Sequence, residues 1–195
     1  MDKTPMRLRS AWGWQRWLAI ALVSVVSWLM VGGTALASLD DDHYDGNIFA
    51  LYAGNGAIVP PRMNLTQALA QDKPTLLTFF VDDSSDCKRF SSVISQLKAP
   101  YGRVANFIAV MADSISFQTS DDPTNAAYYF TGTVPQTLIF DAEGTVRLNV
   151  TGQASYEEID DVMREVFDLL PRSESAELRR RAPVNELNSE LVEPS

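Results

Sequence analysis

The residues best equipped for chemistry sit together at Ser84-Ser85-Asp86-Cys87-Lys88, where hydroxyl, carboxylate, thiol and amine groups follow one another. A thiol in such company points first to thiol-disulfide exchange. That reaction needs one thiolate to attack a disulfide and a second thiol to resolve the mixed disulfide. Cys87 is the only cysteine among 195 residues, so the resolving thiol is absent, no intrachain disulfide can form, and dithiol oxidoreductase activity is not expected. A serine hydroxyl is a poor nucleophile without a positioned base, and the only histidine, His43, lies far off in the sequence. Ser84 therefore reads as a helix cap, accepting hydrogen bonds from the free amides of a first turn. Cys87 carries two readings. The simpler is a small, buried side chain near a helix start. The alternative is a single-cysteine thiol-disulfide regulator acting on a lumenal partner, with the helix amino terminus lowering the thiol pKa. Asp82, Asp83 and Asp86 oppose that second reading by like-charge repulsion, and Lys88 offsets only part of it.

The oxygen-rich run Asp82 to Asp86 has groups that suit calcium or magnesium, but it lacks the glycine and terminal glutamate of a calcium loop. His43, among Asp40, Asp41, Asp42 and Asp45, reads as part of a solvated acidic linker. No metal and no cofactor is expected. A formal net charge of -9 excludes a phosphate-backbone partner, because that contact depends on Lys and Arg displacing counterions.

The elements that must position these groups follow from periodicity. Asn64 can cap a short helix in which Leu65, Ala68 and Leu69 share a face, and Thr75 to Val81 is a continuous apolar run suited to a central strand buried on both faces. Phe90, Val93, Ile94 and Leu97 recur at helical spacing, predicting an amphipathic helix that ends before Pro100. Val104 to Met111 gives a second strand. Asp122-Pro123 is expected to open a third helix running to about Phe130. A strand from Thr137 turns through Asp141-Ala142-Glu143-Gly144 into Thr145 to Val150, an antiparallel hairpin. Ser155 and Glu158 suggest a capping box for a last helix with Ile159, Val162, Met163, Val166 and Phe167 on its face. Tyr128, Tyr129 and Phe130 are expected to be packing residues, with a client groove as the other reading. The order gives an α/β domain with a mixed central sheet flanked by helices.

Before this domain, Lys3, Arg7, Arg9 and Arg16 precede an apolar stretch from Trp17 to Val31 and the small triplet Ala35-Leu36-Ala37, the layout of a signal peptide. Counted on to Ala37, the stretch has about the 20 residues of a transmembrane helix, so a membrane anchor and a cleaved signal both fit. Basic residues before it and aspartates after it place the main domain across the membrane, on the lumenal side. The organisation expected is a signal or anchor segment at 1–37 with an N-terminal hydrophobic helix, a linker at 38–63, the domain at 64–171 and a charged, disordered tail at 172–195.

The buried strand running into Ser84-Ser85-Asp86-Cys87-Lys88, with a later Val134-Pro135-Gln136-Thr137, resembles the thioredoxin-like fold over roughly residues 64–170. Members of that family carry Cys-x-x-Cys-Lys at this junction, so the resemblance puts Ser84 where the attacking cysteine would be and implies a cis peptide at Val134-Pro135. Three further blocks, Leu51-Tyr52-Ala53-Gly54-Asn55-Gly56 with Val59-Pro60-Pro61-Arg62, Val81 to Lys88, and Val166-Phe167-Asp168-Leu169-Leu170-Pro171-Arg172-Ser173-Glu174-Ser175, are similar to cyanobacterial thylakoid membrane proteins described as photosystem I accumulation factors. What this resemblance implies is a non-catalytic factor at the thylakoid membrane. It would support photosystem I assembly or accumulation by binding photosystem I subunits or assembly proteins, at a degenerate redox site of Ser84, Ser85, Asp86, Cys87, Val134 and Pro135. Thioredoxin-like proteins grip extended peptides beside the proline loop by backbone pairing, a mode that requires no catalytic thiol.

Overall fold

The computed structural model describes residues 11–30, 38–115 and 120–175. Residues 1–37 and 38–195 are two separate units. In the first, the expected hydrophobic helix forms as α1, Ala11–Met30, and its apolar side chains such as Trp17, Leu22 and Val23 are exposed. Among the described residues no helix is long and apolar enough to cross a membrane. Gln15, Arg16, Ser24 and Ser27 dilute the helix, and Ser24 turns its hydroxyl back onto the Ile20 carbonyl at 2.8 Å. Residues 31–37, with the small triplet, lie outside the described residues, as does the tail from 176.

The second unit is built on β1, Thr75–Phe80, whose six residues are all buried, as a run apolar on both faces requires. Beside it lie β2, Asn106–Met111, in parallel and β3, Gln136–Phe140, in antiparallel; β4, Val146–Thr151, pairs with β3. The order is β2-β1-β3-β4, a mixed sheet. Thr78 faces Thr137 across the central pair, and their hydroxyls are 3.3 Å apart. On one face Leu76, Phe80 and Ile139 pack against Phe90, Ile94 and Leu97 of α4, Ser85–Tyr101, and Ile159 and Met163 of α5, Tyr156–Val166. On the other, Leu77, Phe79, Leu138 and Phe140 are covered by α3, Leu65–Leu69, and the aromatic residues near 129. Asn64 and Gln67 exchange the two bonds of a capping box on α3, and Ser155 accepts the Glu158 amide at 3.1 Å to start α5.

Three expectations are corrected. The helix expected from Asp122 is instead a turn: the Asp122 carboxylate accepts the Thr124 amide at 2.8 Å, Asn125 accepts the Ala127 amide, and only Ala126–Tyr128 coil, as a 3-10 turn. Short polar side chains here satisfy the backbone locally and compete with helix formation. Tyr129 and Phe130 then pack edge-on or tilted against Phe140 and Phe79, while Tyr128 is half exposed. Second, α4 continues through Pro100 to Tyr101, because the proline falls in the last turn and the buried Tyr101 ring stacks on Phe167 with centroids 5.7 Å apart. Third, residues 38–63, read as a linker with an apolar patch at Ile48 to Tyr52 that packs at its end, belong to the folded unit from Ser38 onward. The short helix α2, Ile48–Leu51, buries Ile48 and Phe49, whose ring meets Phe80 edge-on at 5.0 Å, and Ile58 joins the same core. The folded unit also reaches past 171, since Arg172 pairs with Asp160 at 3.0 Å.

Candidate functional site

The site forms where β1 delivers the chain to α4. Ser84 is extended (φ -102, ψ 126), and its hydroxyl accepts the Cys87 amide at 3.4 Å while its carbonyl accepts the Lys88 amide at 2.9 Å. The serine thus acts as the expected cap. Cys87 is 1% exposed, within the apolar cluster that holds Phe49 and Phe90. Burial pushes its thiol pKa up, a backbone hydrogen bond at Val81 and the Ser84 hydroxyl oppose this, and Asp86 and Asp83 add to the rise. A protonated thiol is the result at neutral pH, the opposite of what a nucleophile needs.

The peptide Val134-Pro135 is cis, as the resemblance implied, and so is Val59-Pro60, which the sequence reading did not single out. Pro135 is buried, and Val134 packs against the clusters on both faces of the sheet. The loop after β4 ties this proline to the start of α4: the Gly152 amide donates to the Pro135 carbonyl at 2.7 Å, and the Gln153 side-chain amide donates to Asp86 at 2.7 Å. Gly152 has φ +87, a conformation that suits glycine. Through Gly152 and Gln153 this loop links Pro135 to Asp86, and Gln153 is a residue the sequence reading missed. The loop on the other side of the proline is held by buried Gln136, which donates to the Tyr129 carbonyl and Asn149 and accepts the Thr131 amide at 3.0 Å.

The largest departure from expectation is Lys88. Its side chain has no exposure, and its ammonium donates to the Ser38 carbonyl (2.9 Å), the Asp41 carbonyl (3.1 Å), the Asp41 carboxylate (3.0 Å) and the Asp45 carboxylate (2.6 Å). Burial alone would lower its pKa, but the hydrogen bonds and charges of Asp45 and Asp41 outweigh it and hold the pKa above the usual lysine range. Asp45 answers in kind: hydrogen bonds from Lys88 and from the Tyr52 hydroxyl bring its carboxyl down to about 2. Asp42 accepts the Ser85 amide at 2.8 Å, and Asp40 meets Arg89 at 2.7 Å. His43 stays exposed, 3.6 Å from Asp45. The signal available in the sequence was a polar stripe, Lys88, Ser91 and Ser95, on the flank of an amphipathic helix, matched by the aspartate run from Asp40 to Asp45 upstream.

Asp82 is buried on the same side and accepts the Ile48 amide at 3.1 Å; its burial raises the carboxyl pKa above the ordinary value. Among the described residues no group of three or more His, Cys, Asp or Glu is placed to hold a metal ion. At the start of α4 the Ser85 amide is taken by Asp42 and the Cys87 amide by Ser84.

A mixed four-stranded sheet with helices on both faces, a cysteine one turn into the helix after the central strand and a cis-proline opening the next strand define a thioredoxin-like domain. The chain belongs to that family: the family model described as a thioredoxin-like domain matches residues 61–167. A curated relative, the thylakoid membrane protein slr1796 of Synechocystis sp., is 49% identical over 161 residues, covering 83% of this chain and 80% of its own length. A mutant thioredoxin from Halobacterium salinarum is 20% identical with a TM-score of 0.43, over 55% of this chain and 86% of that one. A thiol:disulfide interchange protein of the thioredoxin family from Chlorobium tepidum is 16% identical with a TM-score of 0.40, over 52% of this chain and 83% of that one.

Proposed function

We propose that the chain is a non-catalytic, client-binding factor that supports photosystem I assembly or accumulation at the thylakoid membrane, with its folded unit on the lumenal side. The client is a photosystem I subunit or another assembly protein, held at the rim of Ser84, Ser85, Asp86, Cys87, Val134 and Pro135. The observation that carries this reading is that the proline loop is kept while the redox chemistry is not. Ser84 spends its hydroxyl on a helix cap, the lone thiol is buried with a raised pKa, and the cis-proline and its backbone remain in place. The membrane part is supported by the likeness to the Synechocystis thylakoid membrane protein, and the photosystem I part by the resemblance of the blocks around Leu51, Val81 and Val166.

The test is a crosslinking pull-down from native thylakoids with the unaltered protein and Cys87→Ser, read by mass spectrometry with and without reductant. Equal recovery of photosystem I subunits by both forms is the expected result. Partners trapped only through Cys87 and released by reductant would replace this reading with the single-cysteine regulator.

A further inference from the structure

The folded unit begins at Ser38, directly after the small-residue triplet Ala35-Leu36-Ala37. Small side chains at the first and third positions before a bond are what a signal-removing peptidase reads, so the triplet points at the bond between Ala37 and Ser38. Ser38 itself is held from within the second unit. Its carbonyl accepts the Lys88 ammonium at 2.9 Å, and Lys88 also donates to the Asp45 carboxylate at 2.6 Å. The Tyr52 hydroxyl lies 3.1 Å from the same carbonyl and 2.5 Å from the same carboxylate. A backbone hydrogen bond from Ser38 helps to lower the Asp45 carboxyl; only an N–H does that to a carboxylate, so the Ser38 nitrogen lies against Asp45. The charges in this cluster do not balance. Asp41 and Asp45 meet one sealed cation, Lys88, and Asp45 is only 10% exposed, while His43 is exposed at 3.6 Å from it.

We propose that the chain is processed between Ala37 and Ser38 and that the new α-ammonium of Ser38 is received by the Asp45 carboxylate, as the second cation of the cluster of Asp41, Asp45 and Lys88. Hydrolysis of the bond consumes one water: Ala37 leaves as a carboxylate, and the Ser38 nitrogen takes up a proton as the ammonium. That nitrogen is already in place, and its bond to Asp45 changes from one with a neutral donor to one with a charged donor, which is stronger. A cut after Ser38 would remove the carbonyl that Lys88 and Tyr52 hold, and an earlier cut would leave the nitrogen a neutral amide. The bond is thus fixed from both sides, by small residues before it and by partners for both backbone groups of Ser38 after it. The processing rests on the lumenal placement proposed for the folded unit, since the bond must cross the membrane to be cut, and not on client binding.

The chain with a carboxy-terminal affinity tag is isolated from its native membranes, and its intact mass and first residue are read by mass spectrometry. A chain beginning at Ser38 is expected; retention of residues before Ser38, or a later first residue, overturns the proposal. Protease treatment of sealed thylakoid vesicles tells the causes apart. An unprocessed chain protected inside refutes the processing alone, whereas one digested from outside takes the lumenal placement with it. The receiving site is read on the same material by amine acylation across a pH series with peptide mapping. Asp45 and Asp41 raise the midpoint of the Ser38 α-amine, Lys88 and burial lower it, and the carboxylates are expected to win as they do at Lys88. The midpoint is expected about one pH unit above that of the same chain unfolded in guanidinium chloride, a roughly tenfold change in the reactive fraction, and Asp45→Asn is expected to return it to the unfolded value. An unshifted or lowered midpoint in the unaltered chain overturns the contact between ammonium and carboxylate, and so does a raised one that Asp45→Asn leaves in place.

Discussion

Two charged side chains are sealed against α4, Lys88 in its first turn and Asp160 beside its last, and they are served in different ways. Lys88 is met by four oxygens from a segment without secondary structure. Asp160 sits on α5 and accepts the Tyr101 hydroxyl at 2.7 Å, with Arg172 pairing from outside at 3.0 Å. At the first position a cation gathers an irregular segment that is otherwise held by polar contacts such as Asp42 on the Ser85 amide; at the second an anion joins elements that already pack through apolar contacts such as Tyr101 on Phe167. The difference teaches that a buried charge matters most where it substitutes for hydrophobic burial.

The comparison breaks most sharply at Lys88→Met. It leaves Asp45, which is 10% exposed, without its cation, and we expect Tm to fall by about 10 °C in a calorimetric scan. A drop no larger than that of a surface substitution would mean that water serves Asp45 as well as the lysine does.

Acid should reproduce part of that loss. Asp45 is lowered in the folded state from 3.8 to about 2, so its contribution is present above the unfolded value and disappears as pH falls from about 4 towards 2. Lys88 is raised, so its contribution is full below the ordinary 10.5 and fades only as pH climbs through its higher folded value. The unaltered protein should lose Tm more steeply than Lys88→Met between pH 4 and 2, and superimposable profiles would contradict the pairing.

Asp160→Asn is gentler, since the amide oxygen still receives the Tyr101 hydroxyl and Arg172 turns to Asp161 at 2.9 Å; a fall of about 5 °C is expected. The smallest effect has the opposite sign. Asp82 is a buried carboxyl with a raised pKa, so its ionisation costs stability above its unfolded pKa and not below it. Asp82→Asn keeps an oxygen for the Ile48 amide and should raise Tm by about 2 °C at pH 7 and leave it unchanged at pH 3.

The sequence by itself determined the elements whose residues announce their surroundings locally. The unbroken apolar run of β1 demanded burial on both faces, the stripe Ile159, Val162, Met163 and Val166 demanded one face for α5, and Ser84 and Asn64 declared themselves as caps. A single cysteine leaves no resolving thiol for dithiol exchange within the chain. Only the tertiary structure decided that Lys88 is sealed inside, that the acidic run from Asp40 is part of the folded unit, and that Asp122 starts a turn. Lys88 and its oxygen partners are 43 to 50 positions apart in the chain, and a lone charge reads as a surface residue until its partner arrives from that distance. Local periodicity reports which side chains avoid water; it does not report which polar groups will find each other once water has left.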